Sequence, residues 1–379
     1  MLGAVSTPTY AFVDRPDSMA GALATLADLD PVGVDVERAD WNRYYRAAAL
    51  LQVGGAGTVV IIDPMVVEDL ADLAAFVGER TVLLHALEND VGPLASLGIE
   101  LGTIHDTAIA AALLGLPTGL ETLLKEVLGI EVGWDKSRMQ RANWEQRPLT
   151  EEMLAYAAGD VADLPALWEA LQRQLRERDR WGWYVEELEA RLVQPPVEDR
   201  RDWTRIRGVG RLDPRARARA RALWEAREEL AQSSDTAPGR IVNDKVLLDL
   251  AGRPPGGTRD LGRRGVRRQS VRSFGQDIVE ALRVGDLLPP EPPPRYGRRA
   301  GDADRDLAER LRAVRADIAD EVGLDPGLLC PSRHLLRAVL SDPASSDELR
   351  DALGLRRWQW ELLASRFTET VFGKEDGHG

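Results

Sequence analysis

The stretch that decides the fold is PVGVDVERAD, residues 31–40. Within it an apolar run surrounds two carboxylates, Asp35 and Glu37, two positions apart. A strand sends residues i and i+2 to the same face, so VGVDVE predicts a strand whose two acids project together. The apolar neighbours make that strand largely buried, where a charge needs a partner. Downstream, TVLLHALENDVGPL (81–94) reads as a strand passing into a helix, with Asp90 at the junction. Further on, MLAYAAGDVADL (153–164) has helical rhythm, and Tyr156 and Asp160, four apart, share a face.

Carboxylates packed together repel and would sooner bind protons than stay charged. Divalent cations relieve that conflict, and hard oxygen ligands suit Mg²⁺ or Mn²⁺. Two such ions roughly 4 Å apart can clamp the attacking and leaving oxygens of an in-line phosphoryl displacement. A phenol is a poor base near neutrality, but it donates and accepts hydrogen bonds, so Tyr156 can orient a water. Each residue also has an ordinary alternative. Asp35 and Glu37 could be exposed charges on an edge strand. Asp90 could cap the following helix, a task its neighbour Asn89 fits equally well. Asp163 is a rival to Asp160, and Tyr156 could be a core aromatic with its hydroxyl at the surface.

Outward from these blocks, the first half of the chain alternates strand and helix signals. VGVDVE, AAALLQVG and TVVIIDP are apolar strand-length runs separated by turn residues. VEDLADLAAFVGER is amphipathic; TVLLHAL and LGTIHDT are further strands; ENDVGPLASLG, DTAIAAALLG and ETLLKEVLG are helices. Strands that meander first and then alternate with helices predict a mixed sheet with helices on its faces. VQPPVEDRRD around Pro195 and Pro196, and the Pro-rich LLPPEPPPRYGRRAGDAD at 287–304, read as linkers. They divide the chain into units of about 1–194, 200–286 and 303–372. The last two are helical: ARARALWEAREELAQ spaces Leu223, Trp224, Arg227 and Leu230 on one face, and ADRDLAERLRAVRADIADEVGL repeats that rhythm.

Charge follows the same division. The net charge of −13 looks wrong for a protein that handles nucleic acid, but residues 1–200 hold 33 acidic and 16 basic residues, 201–300 hold 13 and 22, and 301–379 hold 16 and 11. A basic middle segment beside an acidic one is the asymmetry of an enzyme with an appended nucleic-acid grip. Only four of the 49 basic residues are lysine; GC-rich coding accounts for most of that bias. No apolar run approaches 20 residues, so no membrane span is expected, and the N-terminal stretch has no signal-peptide pattern. The single Cys330 excludes an intramolecular disulfide and a cysteine metal cluster, and fits a reducing cytoplasm.

The order Asp-x-Glu, Asp, Tyr-x-x-x-Asp resembles the DEDD exonucleases in their tyrosine subclass. The long stretch DKSRMQRANWEQRPLTEEMLAYAAGDVADLPALW (135–168) is similar to the ribonuclease D family, with Lys136, Ser137, Gln140, Trp144, Arg147, Pro148 and Leu149 upstream of Tyr156 and Asp160. Ala142 stands where that family usually has serine, and Val36 and Arg38 replace its more usual threonine and phenylalanine; neither change removes an acid. The two helical units can be laid on each other, WEAREELAQSSDTAPGRIVNDKVLLDLA (224–251) against LRAVRADIADEVGLDPGLLCPSRHLLRAV (311–339), and resemble a tandem pair of HRDC domains.

The resemblance implies an α/β ribonuclease-H-like exonuclease domain, a mixed sheet with flanking helices, followed by two all-α helical-bundle HRDC domains. It implies 3′–5′ hydrolysis of RNA such as tRNA precursors or other structured RNA with a single-stranded 3′ end. Two divalent ions, Mg²⁺ or Mn²⁺, would be held by Asp35, Glu37, Asp90 and Asp160, with Tyr156 completing the catalytic set and 5′-nucleoside monophosphates as products. Gln52, Lys136, Ser137, Gln140, Trp144 and Arg147 become candidates for lining the substrate path, and so does His85, with a strand-end residue packing near the site as its ordinary alternative. Arg263, Arg264, Arg267 and Arg268, in a run that includes Arg259 and Arg272, become candidates for phosphate contact, with a solvated loop as the equal alternative. No protein partner or membrane is implied. Two other readings stay open at this point. One is a 3′–5′ DNA exonuclease built on the same five residues; the other is a nucleic-acid-binding scaffold with a vestigial site.

Overall fold

The computed structural model describes residues 8–38, 42–45, 47–133, 136–139, 141–193, 202–293 and 300–373. Six strands form one sheet: β1 (Thr9–Val13), β2 (Val32–Arg38), β3 (Ala48–Gly55), β4 (Thr58–Ile62), β5 (Thr81–Leu84) and β6 (Thr103–Asp106). Their spatial order is β1-β4-β3-β2-β5-β6. The β2-β3 and β3-β4 pairs are antiparallel, and β1-β4, β2-β5 and β5-β6 are parallel. The mixed sheet expected from sequence is therefore present, with β1 added at one edge. That strand is exposed at its start and buried only at Val13, and TYAFV carries no polar–apolar alternation to read. β3, by contrast, is buried at every position, and its apolar run was legible.

Gly33, Asp35 and Glu37 alternate onto one face of β2. The helix Glu151–Ala162 lies against that face, started by Thr150, whose hydroxyl accepts from the Met153 amide at 3.2 Å. Gly33 permits the approach: a Cβ there would sit 2.8 Å from the Val161 carbonyl oxygen. Close packing of the helix on β2 places Tyr156 and Asp160 over the two strand carboxylates.

The two helical units attach differently. Residues 202–293 enclose a hydrophobic core of their own, built around Leu223, Leu247, Leu250 and Ile278, and Tyr44 from the first unit packs against it. Residues 300–373 instead share one continuous hydrophobic cluster with the sheet-bearing unit. Trp183 stacks on Trp358 with ring centroids 5.0 Å apart, buried Glu187 accepts from the Trp358 indole at 3.2 Å, and Gly115 meets the Gly323 carbonyl so closely that a Cβ would lie 2.1 Å from it. The linker cores expected at Pro195–Pro196 and around Arg295–Arg299 lie outside the described residues. Among the described residues no helix is long and apolar enough to cross a membrane.

Candidate active site

Asp35, Glu37 and Asp160 converge beneath the helix. Each offers a carboxylate oxygen, and the three oxygens all lie within 4.8 Å of one another. All three residues are half-buried, so solvent reaches them while their charge is poorly solvated. Burial lifts Asp35 to about 6, against the pull of a backbone hydrogen bond from Val36. Glu37 is raised well above its ordinary range, by burial first and then by the charges of Asp35, Asp160 and Asp90, with Arg38 opposing. Such a cluster of hard oxygen donors, short of positive charge, is chemically suited to divalent cations.

Asp90 is almost fully enclosed at the start of the helix Val91–Ser96, yet its side chain makes no capping bond. Its Oδ2 has no hydrogen-bond partner. Burial, then the charges of Asp35 and Asp106, push its protonation upward. A buried, unsatisfied carboxylate oxygen beside an acidic trio fits a cation or its water better than a structural cap. Asp106, by contrast, caps its own helix, Thr107–Leu114, accepting from the Ile109 amide at 2.8 Å, and braces the turn before Asp90 by accepting from the Leu87 amide at 2.7 Å.

Tyr156 hydrogen-bonds to Asp160. Burial, followed by the charges of Asp160, Glu37 and Asp35, raises its phenol far above the ordinary value, so it stays protonated and acts as a donor, not as a base. Leu120, Glu121, Leu124 and Val132 form a pocket wall against Tyr156, Gly159 and Asp160. Nothing in the sequence pattern singled out those four, because their place depends on contacts between segments distant in the chain.

Of the expected substrate-path residues, several face inward. Gln52 is fully enclosed on β3 opposite Asp35, and neither end of its amide has a partner. Trp144 is buried, its indole donating to the Met139 carbonyl at 3.2 Å and its ring centroid 6.0 Å from that of Tyr156. The Arg147 guanidinium is saturated by protein acceptors: Nε and Nη2 bind Asp63 at 2.5 and 2.8 Å, Nη2 also reaches the Ala49 carbonyl at 2.9 Å, and Nη1 the carbonyls of Trp144 and Gln146 at 2.6 and 3.1 Å. In this structure the polar atoms of Trp144 and Arg147 are taken up by protein acceptors and Gln52 is enclosed. His85, half-buried after β5, bridges the Thr107 hydroxyl and the Thr118 carbonyl, both at 2.9 Å. Gln140 and the side chains of Lys136 and Ser137 lie outside the described residues.

The basic run divides similarly. Arg263, Arg267 and Arg268 are exposed. Arg264 is tied down, to Asp249 at 2.8 Å and to the Arg253 carbonyl at 2.6 Å.

A 3′–5′ exonuclease family profile matches residues 10–176, and the HRDC domain profile matches residues 216–282 and 304–371. A ribonuclease D from Pseudomonas paraeruginosa is 31% identical over 379 residues, covering 95% of this chain and 96% of its own. The crystal structure of Escherichia coli RNase D, described as an exoribonuclease involved in structured RNA processing, superposes with a TM-score of 0.75 at 22% identity, covering 96% of this chain and 98% of that one. A protein from Bifidobacterium adolescentis superposes with a TM-score of 0.76 at 22% identity, covering 97% of this chain and all of its own.

Proposed function

The chain belongs to the ribonuclease D family of 3′–5′ exoribonucleases, and we propose that it trims the 3′ ends of structured RNA, tRNA precursors among them, at a two-metal centre formed by Asp35, Glu37, Asp90 and Asp160 with Tyr156. The observation that supports this reading most is the convergence of three carboxylate oxygens within 4.8 Å beside a protonated tyrosine. Two divalent cations, Mg²⁺ or Mn²⁺, held by these acids would neutralise charge at the scissile phosphate and make a water acidic enough to attack it.

The remaining work falls to the protein's own groups. Tyr156, fixed by its hydrogen bond to Asp160, orients the attacking water. Hydrolysis gives the water oxygen to phosphorus and a proton to the departing 3′ oxygen. One 5′-nucleoside monophosphate leaves, and the RNA is shorter by one residue with a free 3′ hydroxyl. Exposed Arg263, Arg267 and Arg268 hold phosphates upstream of the cut, where contacts supply affinity without sequence readout. The lone buried thiol of Cys330 fits work in the reducing cytoplasm.

The test is release of mononucleotide from a 3′-labelled RNA and from the matching DNA, with Mg²⁺ or Mn²⁺ and with chelator. Metal-dependent release, faster from RNA, is expected. Asp160→Asn should cut it by about a thousandfold or more. Tyr156→Phe should cut it by about a hundredfold while Mn²⁺ still binds. Near-normal turnover by Asp160→Asn would falsify the two-metal assignment.

A further inference from the structure

Among the described residues, a short loop of the catalytic unit meets Asp235 and its neighbours in the first HRDC unit. Residues 42–45 follow β2 and so continue from the strand end that bears Glu37. Asp235 lies beyond the helix Pro214–Ser233, in left-handed backbone with φ 43° that aspartate tolerates better than most residues. Its Oδ1 accepts from the backbone amides of Tyr44 and Tyr45, both at 3.1 Å, and its Oδ2 accepts from Arg43 Nη1 at 3.1 Å. Two more bonds flank it: the Ala237 amide to the Asn42 carbonyl at 2.9 Å, and the Gln232 amide to the Tyr44 hydroxyl at 2.9 Å.

On the catalytic side, the other edge of Arg43 binds Glu145, with Nε at 2.9 Å and Nη2 at 2.5 Å from the same oxygen. Glu145 adjoins Trp144, whose ring lies against Tyr156 and whose carbonyl is held by Arg147. The loop is thus pinned on one side by Asp235 and on the other by the segment behind the catalytic tyrosine. A carboxylate that collects three donors from a chain segment some 190 residues away does more than cover surface, since charge-assisted bonds are roughly twice as strong as neutral ones.

We propose that Asp235 is a positioning residue for the catalytic centre: by holding Arg43, Tyr44 and Tyr45 it fixes the strand end that carries Glu37 and, through Glu145 and Trp144, the seat of Tyr156. The first HRDC unit then contributes to the rate of the chemical step as well as to RNA grip. This rests on the reading of Glu37 and Tyr156 as catalytic.

The experiment compares wild type, Asp235→Asn and Asp235→Ala, all full length, on a trinucleotide RNA and on a folded RNA with a 3′ overhang. A displaced catalytic group costs rate even when binding survives. Asp235→Ala should lower kcat on the trinucleotide about tenfold or more, with KM little changed. Asp235→Asn, which keeps an acceptor for the two amides but loses the charge facing Arg43, should fall in between. Full kcat on the trinucleotide with loss confined to the folded RNA overturns the proposal and leaves the catalytic assignment standing; an inert wild type overturns both. If Asp235→Ala does not fold, Gln232→Ala decides: a smaller fall in kcat supports the proposal, and an unchanged kcat overturns it.

Discussion

Gln52 stands directly across from Asp35 in the antiparallel pairing of β2 with β3, and the alternation of the two strands turns both side chains toward the helix that bears Tyr156 and Asp160. The amide is fully enclosed and has no hydrogen-bond partner. An unsatisfied buried amide costs about 1–3 kcal/mol. Gln52→Leu, similar in size and without polar atoms, should therefore raise the melting temperature of the metal-free protein. It should also weaken Mn²⁺ binding by about tenfold or more, because the amide across from Asp35 would no longer be there to donate to that carboxylate once it is charged by metal binding. Melting in chelator and calorimetric titration with Mn²⁺ read the two effects separately. Opposite signs identify support for the carboxylate, whereas a fall in both would mark Gln52 as ordinary packing.

Metal-free stability should fall as pH rises through the acid range. Burial keeps Asp35 protonated to about pH 6 in the folded protein, whereas its ordinary value is 3.8. Between those values the folded state binds more protons than the unfolded chain, so stability is highest below the window and declines across it. Glu37 and Asp90, raised by burial and then by neighbouring carboxylates, extend the decline upward. Mn²⁺ affinity should move the opposite way, climbing as protons leave. Melting temperature against pH in chelator checks the first part, and Asp35→Asn should flatten the slope between about 4 and 6. A midpoint that rises over this range would contradict the account.

The acids were legible in sequence because their geometry is local. Period-two alternation puts Asp35 and Glu37 together, and one helical turn joins Tyr156 to Asp160. What sequence could not yield depends on distant contacts. Arg147 reaches Asp63 across 84 positions and the Ala49 carbonyl across 98. Asp235 reaches Tyr44 across 191. The hydrophobic cluster shared by the second HRDC unit and the catalytic unit likewise rests on pairs such as Trp183 and Trp358, which no local pattern connects. Enclosure of Gln52 follows from a helix laid over β3, and polarity alone suggested the reverse.

Arg147→Met should destabilise the fold more than it alters substrate affinity. The substitution strands Asp63, whose side chain is only 2% exposed, without its counter-charge. Removing one partner of a buried pair costs about 3–5 kcal/mol. Loss of the bond to the Trp144 carbonyl should also loosen the support behind Tyr156 and lower kcat. Urea unfolding and steady-state kinetics separate the outcomes. A variant of wild-type stability whose only defect is a raised KM would place Arg147 on the substrate path.

The four arginines of the basic run should not behave alike. Arg263, Arg267 and Arg268 face solvent, whereas Arg264 is bound to Asp249 and to the Arg253 carbonyl. Each phosphate contact on a single strand contributes about 0.7 to the slope of log affinity against log salt. Changing the three exposed residues together to Gln should therefore flatten that slope by about 2 for an RNA long enough to reach them. Arg264→Gln should leave the slope unchanged and lower the melting temperature, since it takes one of two arginines from Asp249 and frees the Arg253 carbonyl. Binding measured across a salt series for wild type, the triple variant and Arg264→Gln decides the matter. If the triple variant keeps the wild-type slope, the exposed arginines are a solvated surface and RNA grip must be sought on another face of the HRDC units.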